Sequence, residues 1–185
     1  MILPSAEALE RRRRGYQRRG VVAAVAFLAM LLSAVLPHIG VLVFDDYGRS
    51  LIGASRFFVA AQAGAEGFTA QDRGALGAGL NVSYLGLAAQ QVGLFAGLGS
   101  FWVLAAEGVG RWIRRLTLVS GWLLLISAAL TVSGYQLLVA SGEPSRLGVA
   151  WVFALVAGVV MVAGGLAARN RLDSTWYWTK PDLNG

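Results

Sequence analysis

Residues 79–106 read GLNVSYLGLAAQQVGLFAGLGSFWVLAA, an uncharged stretch that is long enough to cross a bilayer as a helix. Small residues recur every seven positions along it, at Gly79, Gly86, Gly93 and Ser100. In a helix this spacing places the small side chains along one side, where the backbone of a neighbouring helix can approach closely. The stretch therefore predicts a membrane-spanning helix at the packing centre of a bundle.

Three further apolar runs, at 21–44, 116–140 and 147–168, are also long enough to span a membrane. The chain is 56% hydrophobic and 14% charged, against about 25% charged in a typical soluble domain. We therefore expect an all-α membrane protein built as a bundle of four transmembrane helices. Pro37 is expected to kink the last turns of the first helix.

The third and fourth runs repeat the seven-residue spacing of small residues, so close helix contacts are expected there as well. A short turn joins the second and third helices, which favours an antiparallel hairpin between them. The helix-packing residues predicted in this way are Gly79, Gly86, Gly93, Gly97, Ser100, Ser120, Ser127, Gly134, Gly158 and Gly165.

Four spans place both termini on one side of the membrane and leave one long loop, 45–78, on the other side. The side with the termini holds twelve basic residues: six in a head at 1–20, three in the turn at 107–115 and three in a tail at 169–185. The opposite side holds four. Under the positive-inside rule the termini are cytoplasmic, and we expect a multi-pass protein of a prokaryotic inner membrane.

The six arginines of the basic head precede the first apolar run and are Arg11, Arg12, Arg13, Arg14, Arg18 and Arg19. Clusters of this kind beside a membrane span bind the headgroups of anionic lipids. Because the basic residues lie in the connections between apolar runs, their charge indicates topology and anionic lipid contact and predicts no binding of nucleic acid.

Polar residues inside the second span are Asn81, Gln90 and Gln91. Such side chains either form hydrogen bonds between helices or contact a substrate or solute, and both interpretations stay open. His38 is the only histidine, so the chain cannot supply two axial histidines to a haem. With no cysteine, thiolate metal sites are excluded as well, and we predict no cofactor and no metal site.

Aromatic residues in the long loop and in the tail offer surfaces for contacts with partner proteins. The predicted contact residues are Phe57, Phe58, Trp176, Tyr177 and Trp178.

No catalytic motif is present, and the spans hold no charged residue near the membrane midplane. The leading functional hypothesis is therefore a non-catalytic subunit that packs with other integral membrane subunits, or with itself, and stabilises a complex, including a lipid or quinone site. One alternative is a channel or carrier for a neutral solute, lined by Asn81, Gln90 and Gln91. Another is a lipid-modifying enzyme that uses His38, Asp45 and Asp46 at the outer surface.

Overall fold

A computed structural model describes residues 6–41, 49–52, 75–105, 110–142 and 145–176. Four α-helices dominate these residues: α1 (Ala6–Val35), α2 (Ala75–Leu98), α3 (Arg111–Ala140) and α4 (Ala150–Trp176). A single 3₁₀ turn (Phe101–Leu104) follows α2. The prediction of a helical, apolar protein is confirmed at this level. Among the described residues, three helical segments are long and apolar enough to cross a membrane: Arg13–Val35, Arg111–Ala140 and Ala150–Ala168; α2 is not one of them.

A small antiparallel sheet, which the sequence did not predict, accompanies the helices of this all-helical fold. Its strands are β1 (Pro37–Val41), β2 (Arg49–Ile52) and β3 (Ser145–Leu147), in the order β2–β1–β3. Val41 is paired with Arg49 in β2 and with Ser145 in β3. The sheet thus joins the end of α1 to the connection between α3 and α4.

The first predicted span, 21–44, differs most from the observed elements. Its helix begins within the basic head, at Ala6, and ends at Val35, nine residues earlier than predicted. The last helical hydrogen bond of this segment runs from the Leu36 N–H to the Leu32 carbonyl. Pro37 has no N–H to continue the ladder, so the chain leaves the helix there and enters β1.

The α2–α3 pair forms the most extensive helix contact of the bundle. A methyl group built at Gly86 would lie 3.1 Å from the Leu130 Cβ, and one built at Gly93 would lie 3.1 Å from the Leu123 Cβ. These distances show that glycine permits the two backbones to approach closely. Gly86 lies against Leu130, whereas Gly93, later in α2, lies against Leu123, earlier in α3. The two helices are therefore antiparallel.

The α3–α4 contact depends on a second pair of glycines. A methyl group at Gly121 would lie 2.9 Å from the Val162 backbone nitrogen, and one at Gly158 would lie 2.9 Å from the Gly121 carbonyl oxygen. α1 packs mainly against α4 and the 3₁₀ turn, and only sparsely against α2. Met30, Leu94, Leu124 and Met161 form part of the buried cluster in which the helices meet.

The two ends of the bundle differ in chemistry. The Phe27 ring lies 5.0 Å from the Phe101 ring, and Thr117 Oγ1 lies 3.3 Å from the Ser100 carbonyl oxygen. These contacts bring the arginine-rich start of α1 to the same end as the start of α3. We call this the arginine end, and we call the opposite end, which carries β1, β2 and β3, the sheet end.

Candidate functional site

The candidate site is built around one backbone atom, the carbonyl oxygen of Ser33, near the end of α1. In an α-helix the carbonyl of residue 33 would accept the N–H of residue 37. Residue 37 is Pro37, which has no N–H, so the carbonyl has no intrahelical partner. Ser33 is fully buried, and an unsatisfied buried carbonyl costs about 1–3 kcal/mol. The local sequence therefore requires a donor from elsewhere.

Two side chains supply hydrogen-bond donors to the Ser33 carbonyl. Gln90 Nε2, from the middle of α2, donates to the Ser33 carbonyl at 2.6 Å. His38 Nε2, from β1, lies 3.3 Å from the same oxygen. A carbonyl oxygen has two lone pairs and can accept both hydrogen bonds. One atom thus links α1, α2 and β1.

The Ser33 carbonyl also determines which atoms of Gln90 and His38 face it. Because it only accepts, Gln90 must present its amide nitrogen, and His38 must carry its ring proton on Nε2. Gln90 Oε1 and His38 Nδ1 are then hydrogen-bond acceptors, and both are buried with no partner among the described residues. The site therefore holds two buried acceptors that no described residue satisfies.

The environment of His38 keeps its imidazole neutral. His38 lies in β1, beyond the end of the apolar helix, and only 2% of its surface is exposed. Burial lowers the pKa of His38 from 6.5 to about 4, and the hydrogen bond with the Ser33 carbonyl acts in the opposite direction. Its backbone carbonyl also accepts the Gly148 N–H at 2.7 Å, which connects β1 to the start of α4.

This position does not fit the expected role of His38 at an exposed enzymatic site. The imidazole is buried and lies 3.3 Å from a backbone carbonyl oxygen. Asp45 and Asp46 lie outside the described residues. Among the residues that are described, no group of three or more His, Asp or Glu side chains could hold a metal ion.

The three polar residues predicted as midplane contacts separate in the structure. Gln90 and Gln91 are buried, and Gln91 Nε2 has no partner among the described residues. Asn81 is half-buried and lies nine residues before Gln90, about 13 Å along the helix axis. Gln91 points about 100° away from Gln90 around the helix. The structure therefore does not bring the three amides to one point.

The predicted packing residues lie in the helix interfaces. Gly79 lies against Leu138, Gly97 against Met30, and Gly165 against Leu118. The predicted serines are buried too, and Ser120 Oγ donates to the Gly93 carbonyl at 2.7 Å.

The remaining predicted packing residues follow the same pattern. A methyl group at Gly134 would lie 3.0 Å from the Gly79 carbonyl oxygen. Ser100 bonds the Ala96 carbonyl, within its own chain segment, at 2.8 Å. The buried Ser127 hydroxyl has no partner among the described residues.

Gly121, which lies beside the predicted serines, packs against α4: a methyl group built there would lie 2.9 Å from the Val162 nitrogen. Two residues at the helix contacts, Thr117 and Ser33, were missed by the sequence reasoning. Thr117 Oγ1 donates to the Ile113 carbonyl of its own helix at 2.9 Å and lies 3.3 Å from the Ser100 carbonyl oxygen. Ser33 contributes through its backbone, and the one signal that could have identified it is Pro37 four residues later.

The lipid and partner predictions are described only in part. The six arginines of the head all lie in α1; Arg14 is paired with Glu10, and the Arg19 guanidinium lies 5.6 Å from the Tyr16 ring. On α3, the Arg115 guanidinium lies 5.7 Å from the Trp112 ring. Trp176 is the last residue of α4. Phe57, Phe58, Tyr177 and Trp178 lie outside the described residues.

No protein-family model matches this chain, and comparisons with curated proteins and with solved structures found no match.

Proposed function

We propose that this chain is a non-catalytic integral membrane subunit that packs into a larger membrane complex and stabilises it. Its bundle has four spans, and both termini lie in the cytoplasm of a prokaryotic cell. The observation that carries the proposal is the use of the buried polar groups. Gln90 and Ser120 each donate to a carbonyl on another helix, so these groups hold the bundle together.

The exposed surface supports the same proposal. Large apolar side chains face outward from the helices, including Phe95 at 75% exposure and Trp112 at 76%. In a bilayer such side chains contact lipid tails or the helices of other subunits. The interior of the bundle is used for packing, and its surface is apolar. Such a surface can pack against neighbouring membrane helices.

Isolation of the protein from its native membrane in a mild detergent tests the proposal. We expect a defined set of integral membrane proteins, or further copies of the chain, to co-purify at constant stoichiometry, as measured by mass spectrometry and native gel mobility. A variant with Phe95→Ala and Trp112→Ala is expected to lose part of that set while it keeps its helical content. A chain that purifies only as a monomer contradicts the proposal.

One observation favours the second candidate, a channel or carrier for a neutral solute. Gln90 Oε1 and Gln91 Nε2 are buried and have no partner in the described part of the chain, so both are free to bind a polar solute. Flux of a neutral solute into liposomes should then fall in Gln91→Leu and stay unchanged in the exposed control Gln136→Leu. Equal flux in both variants counts against a carrier function.

A further inference from the structure

The start of α3 carries three arginines within five residues: Arg111, Arg114 and Arg115. Its first turn holds no acidic residue, and none of the three arginines forms an ion pair in the described part of the chain. By contrast, one arginine of α1 is paired with the carboxylate of Glu10. We call residues 111–115 the α3 basic turn. It concentrates positive charge that no described carboxylate neutralises.

Packing between α3 and α4 holds Arg114 in place. The side chain is half-buried: its Nε is closed to solvent, whereas its terminal nitrogens remain accessible and have no partner among the described residues. One turn later in α3, Leu118 packs against Gly165 of α4. Because α3 and α4 are antiparallel, Arg114 lies level with Arg169, one turn beyond Gly165. The stem of Arg114 is therefore fixed at the helix contact, while its terminal donors stay open to a ligand.

An exposed apolar face continues from the α3 basic turn along the same side of the helix. The Arg115 guanidinium lies 5.7 Å from the ring of Trp112, which holds it over an aromatic face. Trp112 is followed at helical spacing by Leu116, Val119 and Trp122, and all four side chains are exposed. Positive charge at the end of the helix and an apolar surface directly below it match a phospholipid. A soluble anion would use only the charged part.

We propose that the α3 basic turn binds the phosphate of one anionic phospholipid, such as phosphatidylglycerol, whose acyl chain lies along the exposed face of α3. Arg114 and Arg115 donate to the phosphate oxygens, a geometry that suits the planar guanidinium. Because packing already orders both side chains, less entropy is lost on binding than at the exposed arginines of α1. The inference rests on the proposed function only in placing the arginine end at the surface of a bilayer.

Lipid titration in detergent micelles, followed by native mass spectrometry, tests the proposal. The probe is dioleoyl phosphatidylglycerol, and its matched control is dioleoyl phosphatidylcholine, which has the same acyl chains and no net charge. We expect one phosphatidylglycerol to bind each chain saturably and the choline lipid to bind roughly 5-fold more weakly or less. Glycerophosphoglycerol, which lacks the acyl chains, should not compete. Competition by this soluble ester at equal concentration would show a site for a free phosphate ester and overturn the lipid assignment.

Variants provide a second measurement. Arg114→Gln and Arg115→Gln should each weaken phosphatidylglycerol binding by roughly 5-fold. Arg13→Gln and Arg18→Gln remove the same charge from exposed positions of α1 and should each change it by less than about 2-fold. Arg115 is exposed, so its variant tests the site even if Arg114→Gln disturbs the contact between α3 and α4. Equal weakening in the α1 and α3 variants would show diffuse attraction to the basic surface and overturn the inference.

The outcomes separate this inference from the proposed function. A chain that purifies without partners but binds phosphatidylglycerol through the α3 basic turn loses the proposed subunit role and keeps the site. A chain that purifies in a complex and binds the two lipids equally keeps its subunit role and loses the site.

Discussion

Pro37 lacks an N–H, and that one difference organises the candidate site. The Ser33 carbonyl has no intrahelical donor and instead contacts Gln90 from α2 and His38 from β1. The sequence predicted a kink at Pro37 and left open whether Gln90 forms a hydrogen bond between helices or contacts a solute. It could not join the two, since the donor and the acceptor are 57 residues apart and their meeting depends on the packing of α1.

At this scale we expect Gln90→Leu to destabilise the folded protein by about 1–3 kcal/mol, because it leaves a buried carbonyl with only the longer His38 bond. Gln136→Leu makes the same chemical change on the exposed side of α3 and should alter stability by less than about 0.5 kcal/mol. Denaturant titration in detergent measures both. Equal losses in the two variants would show that the Gln90 bond contributes nothing.

A second prediction concerns pH. The pKa of His38 is lowered to about 4 in the folded protein, so the unfolded chain binds more protons between pH 4 and pH 6.5. Stability from this group is fully present above pH 6.5 and is lost as the pH falls towards 4. The slope is roughly 1 kcal/mol for each pH unit within that window. In His38→Gln the melting temperature should fall less steeply between pH 7 and pH 5 than in the unmodified chain. Identical slopes would contradict a neutral, buried imidazole.

At the scale of elements, hydropathy located the helices but not their ends. Charge does not stop a helix, so α1 continues through the basic head from Ala6. The strands were missed because they are three to five residues long, and β1 lies inside an apolar run. The pairing of β1 with β3 joins segments more than a hundred residues apart, and no local periodicity reports such a contact. The glycines that recur every seven residues along α2 lie against α3.

Close helix contacts predict a contrast between two glycines. Gly121→Ala would place its methyl group 2.9 Å from the Val162 nitrogen and 3.0 Å from the Gly158 carbonyl oxygen, so α3 and α4 must separate. We expect a loss of about 1–3 kcal/mol. Gly20→Ala, in α1 with nothing within 4 Å, should be neutral or stabilising by up to about 1 kcal/mol. Denaturant titration of both variants checks this, and a stable Gly121→Ala would contradict the contact.

At the scale of the whole molecule, the basic residues of α1 and α3 share the arginine end, as the contacts of Phe27 and Thr117 show. This clustering supports the proposed topology, in which that end faces the cytoplasm. The sequence allows the charges on each side of the membrane to be counted. It does not show that they cluster at one end of the bundle, because this clustering depends on α1 being antiparallel to α2.

The absence of native cysteine allows the topology to be read with single-cysteine variants. In intact cells a membrane-impermeant maleimide should label Ser141→Cys, near the sheet end, and should leave Gln17→Cys and Gly110→Cys unlabelled. After permeabilisation all three should react. Labelling of Gln17→Cys in intact cells would reverse the proposed orientation.

The shared Ser33 oxygen also has a mechanical consequence. β1 is attached to the helices through the His38 side chain and to the start of α4 through the His38 backbone. The sheet and the middle of α2 are therefore connected through two hydrogen bonds that share the Ser33 oxygen. The sheet at the surface is thereby coupled to the interior of the bundle. A molecule that shifts the sheet should also shift the hydrogen bond between Gln90 and Ser33.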